Sequence, residues 1–247
     1  VEDEEAAMSL QGKRVLVVGG SSGIGLAVAR GAAGEGAQVI IASSGRERVD
    51  AAAKAIPGAS GVALDVRDGA AVREGLAGLG DLDHLAYTAG DWGGPRRGAL
   101  ADLDLDAAGQ VFAVRFWGAL RVIQAAHPRV RPGGSITLTD GMIAHRPQKG
   151  SSVSSAMAGA IEHLTRALAV ELAPVRVNCV CPGLIRTDVW NSIPEDRREA
   201  QLERMTARQP LARAGEPGEA AEAYLHFMRA GYTTGQVLRV DGGSSVV

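Results

Sequence analysis

Seven residues near the start of the chain, Gly19-Gly-Ser-Ser-Gly-Ile-Gly25, carry the clearest chemistry. Arg14-Val-Leu-Val-Val18 before them reads as a buried strand, and Ile24 to Glu35 reads as a helix. A glycine-rich turn at that junction lets the backbone approach a phosphate closely. The helix start adds free N–H groups and a partial positive charge. The expected ligand is a pyrophosphate, held by Gly19, Ser21, Ser22, Gly23, Ile24 and Gly25. No comparable pattern points to a metal. The histidines at 84, 127, 145, 163 and 226 are scattered and lack ligand spacing. Cys179 and Cys181 lie two apart in an apolar, strand-like run, so they share a face and do not suit a mutual disulfide. They read as buried thiols of a reducing, cytoplasmic compartment.

The elements that must position this turn alternate along the whole chain. Apolar runs at 38–42, 61–64, 82–88, 135–139, 175–180 and 235–240 read as further strands. Helix-period segments lie at 46–56, 68–79, 104–126, 151–172, 194–207 and 217–229, with Asp68 near an N-cap and Pro128 stopping the long segment before it. Repeated β-α-β units give an α/β fold: a single doubly wound, Rossmann-type parallel sheet of about seven strands with helices on both faces. The length of 247 residues suits one domain, read as 10–247, with residues 1–9 an acidic disordered tail. The segment 186–211, with Pro194, Pro210 and many charges, reads as a substrate lid. A net charge of −2 excludes the basic balance expected of a nucleic-acid partner, and no apolar run has membrane-spanning length.

Val18 to Gly25 resembles the Thr-Gly-x-x-x-Gly-Ile-Gly stretch of the short-chain dehydrogenase/reductase family, with Val18 in the threonine place. Further similarities follow in order. Asp65-Val66 resembles the adenine-contacting pair, and Ala89-Gly90 the tail of the Asn-Asn-Ala-Gly motif. Leu164 to Ala173 resembles the long interface helix, and Pro182-Gly183 through Thr187 the stretch that holds the nicotinamide carboxamide. The resemblance runs from Leu10 to Gly243. It implies a bound nicotinamide dinucleotide, a small-molecule substrate, and a homodimer or homotetramer formed through helices 104–126 and 151–172. NAD-preferring members end the second strand with an acidic residue. Here the strand ends Ala42-Ser-Ser-Gly-Arg46, so NADP(H) is favoured over NAD(H), with Ser43, Ser44 and Arg46 holding the 2′-phosphate.

The same resemblance exposes a gap. The family's common form uses Asn, Ser, Tyr and Lys to move a proton at the substrate carbonyl. In register with the Leu164-Thr-Arg helix, Ser154 holds the Tyr place, Ala158 the Lys place and Gly141 the Ser place. On the preceding long helix Arg115 replaces the Asn. The three tyrosines are Tyr87, Tyr224 and Tyr232, so the longer Tyr-to-Lys spacing of enoyl reductases is absent as well. Tyr87-Thr88 replaces the Asn-Asn of the fourth strand, and Tyr87 reads as a packing group.

The expected substitutes are Arg115, Asp140 and Ser154, with Arg115 meeting Asp140 because a buried guanidinium needs a partner. Arg115 then holds the ribose or polarises a substrate oxygen, but stays charged and donates no proton. His145 is either a proton shuttle or a surface residue. Trp92, Trp117 and Trp190 are expected to flank the cleft, Trp190 facing substrate. Three readings stay open: an NADP(H)-dependent oxidoreductase with a changed proton relay, a non-redox enzyme such as a cyclase, isomerase or lyase, and a non-catalytic dinucleotide binder.

Overall fold

The computed structural model describes residues 9–90 and 98–247. The seven expected strands form one parallel sheet: β1 (Arg14–Val18), β2 (Gln38–Ser43), β3 (Ser60–Ala63), β4 (Leu82–Tyr87), β5 (Val130–Thr139), β6 (Arg176–Pro182) and β7 (Val237–Val240). Their order is β3-β2-β1-β4-β5-β6-β7. The direction of winding therefore reverses between β1 and β4. A crevice opens at the carboxyl ends of the strands at such a switch point.

The helices that flank the sheet divide between its two faces, while α7 (Glu195–Thr206) lies in the 186–211 segment. On one face lie α1 (Gly23–Gly34), α2 (Arg46–Lys54) and α8 (Pro217–Arg229), whose apolar side chains join Val15, Val17, Val39 and Ile41 in one core. On the other face lie α3 (Gly69–Ala77), α5 (Ala119–Ala126) and α6 (Ser152–Glu171), packed with Leu16, Leu85, Ile136 and Leu138, and the short α4 (Leu105–Gly109) precedes α5 in the chain. The alternation along each strand sends successive side chains to opposite cores, as the pleat requires. Asp68 caps α3 by accepting from Ala70 N at 2.8 Å and Ala71 N at 3.2 Å. Cys179 and Cys181 are both free and buried.

Two expected elements come out differently. The 104–126 segment is not one regular helix. Between α4 and α5 the backbone widens into i→i+5 bonding over Ala113–Gly118, and Arg115 sits on that wide turn. Such turns are rare, and they free a carbonyl from the regular ladder. Tyr87 Oη takes it, donating to Val114 O at 2.5 Å, and the lack of a side chain at Gly118 leaves room for the phenol. The cause is thus tertiary and invisible to periodicity. Secondly, β5 begins at Val130 instead of Ser135. Val130 pairs with Leu82 and Ser135 with His84, so the Arg131-Pro-Gly-Gly134 stretch forms a bulge in the ladder.

Tyr87 is therefore a packing group with a defined task. Tyr87→Phe leaves the Val114 carbonyl without its donor inside the core. The expected loss is about 1–3 kcal/mol in urea unfolding. An unchanged midpoint would show that the wide turn does not depend on the phenol.

Candidate active site

The cleft at the switch point has a volume of about 900 Å³. Its floor is the glycine turn. Gly19 has φ +85°, and a Cβ there would stand 2.5 Å from Ala89 N; one at Gly25 would stand 2.3 Å from Gly19 O and 2.4 Å from Thr88 Oγ1. Only glycine lets the turn lie this close to the end of β4. Thr88 Oγ1 donates to Val18 O at 2.9 Å and ties the two strand ends together, in the place of the expected Asn. Ser22 makes no side-chain cap on α1. The first-turn N–H groups, which have no partner within any helix, are thus left to an anion. These features fit a dinucleotide pyrophosphate.

The expected contact residues gather as a group. Gly19, Ser21, Ser22, Gly23, Ile24, Gly25, Ser43, Ser44, Asp65, Val66, Ala89, Gly90, Pro182, Gly183 and Thr187 all line the cleft. Arg46 does not. It points along the exposed side of α2 and pairs with Asp50 at 3.5 Å, while Arg48 lines the cleft in its stead. The Arg48 guanidinium folds over Gly45, where a Cβ would stand 2.9 Å from Nε. Asp65 is already engaged: Arg67 Nη2 donates to it at 2.6 Å, and that bond holds its carboxyl below the usual range.

Arg115 is 7% exposed and lines the cleft beside Gly90. It meets Asp140 as expected, but through the main chain: Arg115 Nη1 donates to Asp140 O at 2.9 Å. The Asp140 carboxylate oxygens are buried and accept no hydrogen bond. Asp140 itself lines the cleft, whereas Ser154, half-buried in the first turns of α6, does not. Gly141, Met142, Ile143 and Gln148 make the wall there instead. None of the three tyrosines lines the cleft either: Tyr87 and Tyr224 are buried in the core and Tyr232 is exposed on the surface.

From the 186–211 segment, Thr187, Asp188, Val189, Trp190, Met205 and Gln209 face the cleft. The Trp190 indole donates to Ile185 O at 2.8 Å, which fixes the ring there. Trp117 lies elsewhere, 53% exposed on the wide turn and edge-on to Phe116, so it does not flank the cleft. Trp92 lies outside the described residues.

The family model described as Enoyl-(Acyl carrier protein) reductase matches residues 18–245. Short-chain dehydrogenase/reductase ATR9 of Stachybotrys chlorohalonatus is 35% identical, the alignment covering 96% of this chain and 98% of that one. This chain belongs to the short-chain dehydrogenase/reductase family. Among solved members, the MalC Reductase/Diels-Alderase from Malbranchea aurantiaca is 31% identical with a TM-score of 0.89, covering 98% of this chain and 100% of that one. A small-chain dehydrogenase solved in complex with NADPH is 33% identical with a TM-score of 0.83, covering 96% and 100%.

As a family member the chain has the nicotinamide-dinucleotide fold, and its glycine turn and strand ends stand where the geometry requires. Among the described residues no helix is long and apolar enough to cross a membrane.

Sequence reasoning passed over Glu162. It is buried on α6, one turn beyond Ala158 and on the same face, and touches His145. A charged residue at i+4 from the Lys place in an otherwise apolar helix face was the signal available. The sequence also gave no metal pattern, yet the fold brings Asp140, His145, Glu162 and Cys181 together.

Proposed function

We propose that the protein is an NADP(H)-dependent oxidoreductase of a small-molecule carbonyl or alcohol, in which Arg115 polarises the substrate oxygen and the proton is supplied by Asp140. The observation that carries this reading is the buried guanidinium of Arg115 at the cleft wall, where the switch-point geometry would set a nicotinamide. Its position beside Gly90 and the end of β5 would hold permanent positive charge near an oxygen developing negative charge. The reduced cofactor, when bound, supplies a hydride. The chain's own task is to orient the carbonyl, stabilise its oxygen and deliver one proton. Mass spectrometry of products formed with deuterated NADPH from a carbonyl panel tests this. Deuterium on the former carbonyl carbon supports the reading, and a product set without deuterium overturns it.

The preference for NADP(H) rests on the end of β2. No carboxylate stands there to repel a 2′-phosphate, and Ser43, Ser44 and Arg48 line the cleft at that point. A charge-assisted hydrogen bond contributes about 1.5–3 kcal/mol, or roughly tenfold to a hundredfold in affinity. Arg48→Ala is therefore expected to weaken NADPH binding by about tenfold or more and leave NADH binding unchanged, whereas Arg46→Ala leaves both unchanged. Equal effects of Arg48→Ala on the two cofactors would remove this assignment.

A second reading has a specific observation in its favour. The similar MalC protein is described as both reductase and Diels-Alderase. A guanidinium that polarises a carbonyl can equally activate it for a non-redox cyclisation. Turnover with the oxidised cofactor bound, and no change in nicotinamide absorbance, distinguishes this reading.

A homodimer or homotetramer through 104–126 and 151–172 is also part of the proposal. Trp117 and Val170, 53% and 82% exposed, lie on those segments. Light scattering reads the mass directly.

A further inference from the structure

Behind the cleft wall four side chains from separate parts of the chain converge. They are Asp140 after β5, His145 in the loop that follows, Glu162 on α6 and Cys181 near the end of β6; one polar atom from each lies within 4.8 Å of all the others. Asp140 is 1% exposed and Glu162 8%. Neither Asp140 oxygen accepts a hydrogen bond, nor does Glu162 Oε1. His145 Nε2 stands 2.5 Å from Glu162 Oε1, close in distance but out of line for a hydrogen bond.

Two ionised carboxylates facing each other in this way are disfavoured. Out of water they lose hydration and repel, and the thiol of Cys181, a weak donor beside Asp140, offsets little of this. One proton removes each fault. An O–H on one carboxyl donates to the other, the repulsion vanishes, and a single negative charge is left facing the His145 ring and Arg166 Nη2, which lies 3.6 Å from Glu162 Oε2.

We propose that Asp140 and Glu162 share a single proton, that this pair keeps Asp140 as the acid of the reduction, and that His145 passes protons to it from solvent. The acid role rests on the oxidoreductase reading above; the shared proton does not. His145 is the member that reaches water, with 28% of its side chain exposed. Asp140 is the member that lines the cleft. Glu162 and His145 are positioning residues, since neither lines the cleft.

The step balances. Hydride addition forms a C–H bond and breaks the carbonyl π bond, leaving oxygen one proton short. Asp140 gives that proton after a rotation of its side chain toward the cleft. The pair is then two carboxylates, and one proton from water through His145 restores it. The net change is carbonyl, reduced cofactor and one proton to alcohol and oxidised cofactor.

The surroundings agree with an un-ionised Asp140. Burial and the facing Glu162 carboxyl push it up to about 7, against the Cys181 thiol and the pull of Arg115 on the wide turn. The thiols of Cys179 and Cys181 on β6 are pushed up by burial, as is the Tyr224 phenol on α8, so they stay neutral. Asp241, after β7, faces Cys181 and is held below the usual carboxylate range.

A native carboxyl pushed up in this way binds its proton more tightly than the unfolded chain does. Its contribution to stability is whole below the unfolded value and is lost as pH rises through about 7. Wild-type Tm is expected to fall across that range, with Asp140→Asn flatter over the same pH series.

Infrared difference spectroscopy of the whole protein decides the proposal. The expected result is a C=O stretch of a buried, un-ionised carboxyl that titrates away through about neutral pH. It is absent in Asp140→Asn and disappears at lower pH in Glu162→Gln, where the facing charge is gone. The alkaline fall of reductive kcat moves the same way in Glu162→Gln, by about one pH unit or more. His145→Asn keeps the band and lowers kcat without raising KM. A missing band, or one untouched by either carboxyl substitution, overturns the shared proton and leaves the oxidoreductase reading intact. Stoichiometric divalent metal in the isolated protein, with no band, also overturns it and makes the cluster a metal centre. A band without deuterium transfer to any carbonyl overturns the acid role.

Discussion

Arg115→Ala is expected to lower kcat for carbonyl reduction by about 10²–10³-fold, the usual effect of removing one preorganised donor from a developing oxyanion. NADPH affinity should stay near that of the wild type, because the glycine turn and the ends of β2 and β3 do not involve this side chain. The loss would come from two sources. The permanent charge at the cleft wall disappears, and the Asp140 carbonyl loses the 2.9 Å bond that fixes the end of β5. Arg115→Lys separates them. Lysine keeps a charge but presents no planar fork, so it cannot both bond the Asp140 carbonyl and reach into the cleft. Only slight recovery of kcat is expected. Full recovery with lysine would reduce the role of Arg115 to charge alone. Full activity in Arg115→Ala would remove it from the reaction. Because a buried side chain is being truncated, the comparison is made per molecule of bound NADPH, with Tm measured alongside.

Gly19→Ala carries the next largest expected effect. Its backbone has φ +85°, where an L side chain is strained, and the new Cβ would stand 2.5 Å from Ala89 N. Backbone strain of this kind costs about 1–3 kcal/mol before the clash is counted. Something must shift, and both neighbours are main chain. The turn and the end of β4 would part, and with them the phosphate cradle. NADPH binding is expected to weaken by at least about a hundredfold, equivalent to roughly 2.8 kcal/mol, with a marked fall in Tm. The control is Gly34→Ala near the end of α1, where a Cβ meets nothing within 4 Å. That variant should bind NADPH normally and be as stable as the wild type or slightly more so. Equal binding by Gly19→Ala and Gly34→Ala would mean that the turn is structural and holds no phosphate.

The residues expected to hold a dinucleotide gather in one cleft because their signals are local. The glycine turn sits between a strand and a helix in one continuous stretch, and strand ends can be read from where apolar runs stop. Arg46 shows the limit of that reading. On the first turn of α2, a residue's direction depends on helix phase and on rival partners. Asp50, four residues on, draws Arg46 outward, while the missing side chain at Gly45 lets Arg48 fold back over the turn. Both clues were present in the sequence, but only the helix start in three dimensions ranks them.

The catalytic half was less legible because its causes lie between elements. In the wide turn that carries Arg115, the Val114 carbonyl is taken by the Tyr87 phenol, 27 positions away. An apolar run such as Val111 to Trp117 gives no sign of it. Similarly, Asp140 and Cys181 become neighbours because β5 and β6 pair and Asp140 N donates to Val180 O at 3.1 Å. Glu162 joins them only through the packing of α6 on β5 and β6. Ser154 takes its place in the family pattern from register along a helix, whereas the cleft wall there is made by the segment before the helix.

The cleft is proposed to bind NADP(H) in preference to NAD(H) and to present it to a substrate beside Arg115. Titration calorimetry of the wild-type protein with NADPH and with NADH tests the first part most directly. One NADPH per chain is expected, with affinity in the micromolar range and NADH about tenfold or more weaker. Failure of both to bind more tightly than roughly millimolar, about −4 kcal/mol, would contradict it and leave the glycine turn as a structural junction.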